Sequence, residues 1–247
     1  NVTSVSSGPN DLLVNGAIYT VTLAYQDAAL NPAASVAHTS FTYDTAAPAI
    51  SSTAPATNAT VNNTQVSYTL SEAIVSGTIT WTRTGGSADA LSPHVKALTG
   101  AELNSGAHTN ITLTNNPTLV DGAIYSIAFD GIDAAGNAAT TVTNTNITND
   151  VGTATPTFVT PAASGTDNAS LAVDFTLPEA AASGTAKMTF TRTGGSADAN
   201  APHIITFAAA FESAAQHTTS LNGSDLSSNA NVTSVSSGPN DLLVNGA

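Results

Sequence analysis

Oxygen donors dominate the side chains of this sequence that can do chemistry. Seventeen Asp and Glu residues stand against four bases, Arg83, Lys96, Lys187 and Arg192, giving a formal net charge of -13. A hard cation such as Ca2+ takes roughly six to eight oxygen ligands, so this balance suits bound Ca2+. It suits plain solubility equally well. It argues against nucleic acid, whose phosphates need clustered Lys and Arg. Cysteine is absent, which removes disulfides, thiolate nucleophiles and Cys-based zinc sites. Histidines recur as His94 with His108 and as His203 with His217. Two histidines without a third ligand at a characteristic spacing are a weak zinc signal, and packing at loops or strand ends is expected instead. Arg83 is followed six residues on by Asp89, and Arg192 by Asp198, a spacing that suits an ion pair across a hairpin. No G-x-S-x-G, P-loop or H-E-x-x-H is present, and no catalytic residue is assigned.

The elements that carry these residues are repeated. NVTSVSSGPNDLLVNGA fills residues 1–17 and returns unchanged at residues 231–247. The chain therefore reads as one period of a tandem array plus a short overlap. A finer repeat lies inside it. TRTGGSADA at residues 82–90 recurs at residues 191–199, each time followed by Pro-His. VSYTLSEA at 66–73 matches VDFTLPEA at 173–180, and DGAIYSI at 121–127 matches NGAIYTV at 15–21. Two related units, A and B, result. Residues 1–45 are the C-terminal part of a B unit, 46–150 a complete A unit, and 151–247 the N-terminal part of the next B unit. Unit B carries extra residues near SLNGSDLSSNANVTS, polar and turn-rich, which read as a surface loop or hairpin insertion.

The local pattern is all-β. QVSYTL places Val66, Tyr68 and Leu70 on one face, and TITWTR places Ile79, Trp81 and Arg83 together. Turn residues interrupt at the short intervals expected of a sandwich. Only TGAELNSGA and FAAAFESAA have room for a helical turn. Aromatics are 5% of the chain, so the core is mostly aliphatic. No run of 18 apolar residues is present, so no membrane span is expected.

These strands resemble tandem immunoglobulin-like β-sandwiches. Trp81 falls where the strand C tryptophan packs in such a core, and Phe190 takes its place in unit B. DGAIY at 121–125 resembles the tyrosine corner of strand F, with Tyr125 in unit A and Tyr19 in unit B. Val66 or Tyr68, facing Ile127, would fill the site of the missing inter-sheet disulfide. More narrowly, YDTAAP at 43–48, LSEA at 70–73 and DAAGN at 133–137 resemble the bacterial Ig-like repeats of giant cell-surface adhesins and extracellular fibre proteins. Unit B departs from that pattern with DAALN at 27–31 and the linker NDVGTATP.

The resemblance implies a metal site. Strand A begins, strand B ends and the F–G loop lies at one pole of an Ig sandwich. That pole would gather Asp44, Glu72, Asp133 and Asn137 in unit A, an oxygen set for Ca2+. The related set in unit B is Asp150 and Glu179, with Asp27 from the equivalent turn. Asx-turn chemistry accounts for the same residues without a metal.

The expected function is that of a structural segment of a long bacterial surface protein, an adhesin stalk, fibre or sheath at the cell surface. It would supply length and self-association, and it would not be an enzyme. An adhesive module binding a glycan or a partner cell, with or without Ca2+, is the alternative. The expected partners are neighbouring copies of the chain, including completion of the partial B sandwich by residues 18–45 of the following copy, either the covalently next repeat or a separate subunit that donates the strands.

Overall fold

The computed structural model describes residues 12–236 and 241–245, so parts of the repeated terminal segments lie outside the described residues. The chain divides into two compact units, Asn1–Gly152 and Thr153–Ala247, and the division falls within the NDVGTATP linker.

The first unit contains a hairpin, β1 (Ile18–Leu23) and β2 (Val36–Thr42), whose strands pair with each other and, among the described residues, with no other strand. The sandwich follows. One sheet contains β3 (Ile50–Ala54), β5 (Val66–Leu70) and β8 (Gly106–Ile111), in the order β3-β5-β8. The other contains β4 (Thr60–Val61), β6 (Ser76–Gly86), β7 (His94–Ala97), β9 (Ala123–Ile132) and β10 (Val142–Asn149), in the order β4-β10-β9-β6-β7. All pairs are antiparallel except β10 with β4. Alternation explains the packing. Val66, Tyr68 and Leu70 face inward from β5, while Ile79 and Trp81 do so from β6, and Tyr125, Ile127 and Phe129 from β9. Trp81 is fully buried and meets Tyr125 edge to face, with ring centroids 6.1 Å apart.

The second unit repeats the beginning of this plan. Strands β11 (Thr157–Thr160), β12 (Ser170–Thr176) and β15 (Gln216–Asn222) correspond in sequence to β3, β5 and β8. Strands β13 (Lys187–Phe190) and β14 (His203–Phe207) correspond to β6 and β7, and they are joined by β16 (Val232–Val235) rather than by a counterpart of β9. The core gathers Val173, Phe175, Ile205, Phe207 and Phe211. Phe190, at the position of Trp81, is only half-buried.

Both helical turns occur, as 3-10 segments at Gly100–Leu103 and Ala209–Phe211. The insertion in unit B is more than a polar surface loop. Its Leu226 is fully buried, and β16 adds an edge strand against β14. Leu221 and Leu226 lie in the core, and Val232 and Val235 pack against it, so the few apolar residues of this polar stretch fold it onto the sandwich.

Candidate functional site

Three carboxylates converge where the chain enters the first sandwich. Asp44 comes from the segment before β3, Glu72 follows β5, and Asp133 opens the turn after β9. A carboxylate oxygen from each lies within 4.8 Å of the others, and this is the one such group among the described residues. None of the three makes an ion pair among the described residues. Asp133 is buried and built into its turn. Its Oδ1 accepts from the Ala135 and Asn137 amides, each at 2.8 Å. Burial pushes this carboxyl up, but the Asn137 side chain and the backbone amides outweigh that and hold it below the usual range.

Asn137 belongs to the cluster but presents nitrogen to it. Its Nδ2 donates to Asp133 Oδ2 at 2.9 Å and to the Asp44 carbonyl at 3.3 Å. It therefore braces the carboxylate and the linker. A metal here would draw on Asp44, Glu72 and Asp133, with backbone carbonyls and water completing its shell.

The counterparts are dispersed. Asp27 repeats the turn, accepting from the Ala29 and Asn31 amides at 2.9 Å each, and the Asn31 side chain is the main influence holding its carboxyl low. Leu30 at φ +68° stands where Gly136 takes φ +94°. The turn survives its sequence change, yet Asp27 is fully in solvent on the free hairpin. Asp150 is exposed at the end of β10, its amide bonded to the Val61 carbonyl. Glu179 is exposed in the second unit and accepts from the Ala154 amide at 3.0 Å.

A second cluster escaped the reading of the sequence. Asp89 Oδ2 accepts from His94 Nε2 at 2.6 Å and from the Tyr125 hydroxyl at 2.7 Å. That hydroxyl in turn accepts from the Val120 amide at 3.0 Å, closing the tyrosine corner. The His94 bond, followed by the Tyr125 bond, lowers the Asp89 carboxyl to about 2. Burial, foremost, raises the Tyr125 phenol. The second unit keeps half of the arrangement, with His203 Nε2 2.9 Å from Asp198 Oδ2. The signal was an Asp and a His five residues apart in both copies of the TRTGGSADA segment.

This network overturns the expected Arg–Asp pairs. Arg83 Nε donates to the Ser87 carbonyl at 2.6 Å, and Arg192 Nε to the Ser196 carbonyl at 2.7 Å, so each guanidinium closes its own loop. The histidines divide between tasks. His108 Nε2 lies 2.9 Å from the Asn104 carbonyl and its ring stacks on Tyr68, while His217 Nε2 lies 2.8 Å from the Ser213 carbonyl. Trp81, with no exposed surface, has no face for a sugar.

A three-stranded sheet packed on a five-stranded one, with a buried tryptophan on β6 and a tyrosine corner entering β9, defines an immunoglobulin-like β-sandwich. The model of the bacterial Ig-like domain family matches residues 44–148, beginning at the first carboxylate of the cluster. Domains of this kind are typically non-enzymatic and commonly occur in cell-surface or extracellular proteins. No curated protein and no solved structure matches the chain. No helix among the described residues is long and apolar enough to cross a membrane.

Proposed function

We propose that this chain is a structural repeat segment of a long bacterial surface protein, a stalk, fibre or sheath whose work is length and spacing. The observation that carries this reading is the duplication of one sandwich plan along a single chain. Trp81 and Phe190, the two Asp–His pairs and the two tyrosine corners recur in step. What is repeated is packing machinery. In an array of such units, each core stands alone and the junctions set the bend.

Ca2+ held by Asp44, Glu72 and Asp133 would stiffen the junction. The cation would join the incoming linker to the end of β5 and the turn after β9, and it would cancel the repulsion of three close carboxylates. The test is a thermal melt of the full chain in EDTA and in millimolar Ca2+, with small-angle scattering in parallel. At about 100-fold over Kd, binding adds ~2.7 kcal/mol and raises the first unit's melting point by about 5–10 °C, with a longer, straighter particle. Asp44→Asn and Glu72→Gln should each abolish the response. A melt and a particle length unmoved by Ca2+ would leave these acids as turn formers and solubilisers.

A further inference from the structure

The strand that follows the TRTGGSADA loop holds the same place in both units, yet its outer edge is treated differently. In the second unit β16 runs along β14, pairing Val235 with Ile205, Ser234 with Thr206 and Val232 with Phe207. Just beyond, the Ser236 amide donates to the Ile204 carbonyl at 2.9 Å, and the Ile204 amide donates to Ser236 Oγ at 3.0 Å. In the first unit β7 ends the five-stranded sheet, and among the described residues no strand lies along its outer edge. This edge is in the middle of the chain, inside the first sandwich.

The registers match, so the two strands compare residue by residue. Trp81 opposes His94 as Phe190 opposes His203, and Thr80 opposes Val95 as Thr189 opposes Ile204. Val95 is thus the counterpart of Ile204 and turns its amide and carbonyl away from β6, on the side where Ile204 meets Ser236. Val95 is 58% exposed, and Leu91, four residues earlier, is 78% exposed. Free ladder groups and apolar surface, which strand addition needs, are both present. One further carbonyl is occupied. Asn115 Nδ2 donates to the Ala97 carbonyl at 3.3 Å, as Thr233 Oγ1 donates to the Thr206 carbonyl at 3.2 Å. The main difference is the inward position between them. Ile205, flanked on its side of the strand by His203 and Phe207, is fully buried. Its counterpart is Lys96, half-buried between buried His94 and Leu98, with no ion pair among the described residues.

We propose that Lys96 keeps the edge of β7 closed to the same edge of a second copy of this chain. A strand laid along β7 would cover Lys96 as β16 covers Ile205. It would strip water from an ammonium without supplying a counter-charge, and a four-residue ladder returns too little to offset that. The second copy is the strand to be excluded, because its β7 is a matching edge. Two such strands, antiparallel about Val95, would exchange the Val95 amides and carbonyls in a closed twofold pair. The same pairing sets each Lys96 against His94 of the other copy, a second nitrogen base. The second unit needs no such charge, because β16 fills its edge and allows an isoleucine at 205. In a fibre, where like units crowd one another, Lys96 would stop these units from joining sideways. That consequence rests on the repeat reading, whereas the closed edge does not.

Light scattering of the full chain across a concentration series, in EDTA throughout, tests the proposal, with hydrogen exchange read at the Val95 amide. The unaltered chain sets the reference for both. Lys96→Ile installs the residue of the second unit. It should raise the mean mass towards twice the reference and slow Val95 exchange as concentration rises. Lys96→Arg keeps the charge and should match the reference. Lys96→Gln removes the charge without adding apolar surface and should show the same change more weakly, which keeps the test open should the isoleucine chain fold poorly. Val95→Pro added to Lys96→Ile deletes the amide that the ladder needs and should restore the reference mass. Reference mass and exchange in both the isoleucine and the glutamine chains would overturn the proposal. So would association of the arginine chain, or a mass gain that Val95→Pro leaves intact, which would be apolar clustering. The repeat reading is judged separately, by the Ca2+ melt and the particle length, so either can fail alone.

Discussion

Two regions built from related sequences, residues 46–150 and 153–247, bury their matching aromatics to different degrees. Both begin with a three-stranded sheet, β3-β5-β8 or β11-β12-β15, and a strand bearing Trp81 or Phe190, and both carry the TRTGGSADA loop with its Asp–His pair. The first closes its second sheet with β9 and β10 and buries Trp81 completely. Among the described residues the second has three strands per sheet and leaves Phe190 half-buried. Burial of strand C is thus decided by a strand more than forty residues away. A matching contrast appears in two identical stretches. In DLLVN at residues 241–245, Leu243 packs on the second core, while in its twin Leu12, Leu13 and Val14 are 83%, 50% and 64% exposed. The same side chains are core or surface according to what fold surrounds them.

The largest expected break of this comparison is at strand C. Trp81→Ala should destabilise the first unit by about 3–5 kcal/mol, as large aromatic truncations in a closed core do. Phe190→Ala should destabilise the second unit much less, by roughly 1 kcal/mol, since its ring is only half-buried. Differential calorimetry of the two variants reads both transitions. Equal losses would mean that the second core is as closed as the first.

A smaller effect separates the two Asp–His pairs. The Asp89 carboxyl is depressed in the fold to about 2, by His94 first and Tyr125 second. A depressed acid stabilises the fold above its unfolded value, about 4, and that stabilisation drains away as pH falls towards about 2. Asp198 is depressed by His203 without a tyrosine. Acid unfolding curves should therefore show Asp89→Asn flattening the first unit's acid limb across this window. Asp198→Asn should flatten the second unit's limb less. Identical limbs would show that the tyrosine adds nothing.

The smallest effect lies in the paired turns. Leu30 holds φ +68° where Gly136 holds φ +94°. Leu30→Gly should stabilise the β1–β2 hairpin by about 1 kcal/mol, because a left-handed conformation strains a branched side chain and suits glycine. Slower amide exchange in β1 and β2 is the readout, and unchanged exchange would mean that the turn does not limit the hairpin.

Much of this was legible in the residues themselves. Period-two alternation in VSYTL and TITWTR announced the strands and their inward faces, because a strand sends alternate side chains to opposite sides. The Ala-Ile-Tyr motif announced a corner. The duplicated segments announced two units, and the topology of such a sandwich put Asp44, Glu72 and Asp133 at one pole. The orientation of Asn137 was not legible, since only the closed turn shows which amide atom meets Asp133. The Arg83–Asp89 pairing failed for a similar reason. Spacing of six residues allows the contact, but carbonyls at Gly86 and Ser87 lie closer to the guanidinium, and His94 and Tyr125 reach Asp89 first.

By itself, then, the sequence determined the strand pattern, the two-unit repeat, the turn chemistry of DAAGN and DAALN, and the excess of carboxylates, all of which depend on neighbours along the chain. Tertiary structure alone decided which aromatic is sealed, which acids meet, and that Leu226 of a polar insertion enters the core. Those outcomes depend on contacts between residues far apart in the chain, and such contacts exist only once the sheets have closed or failed to close.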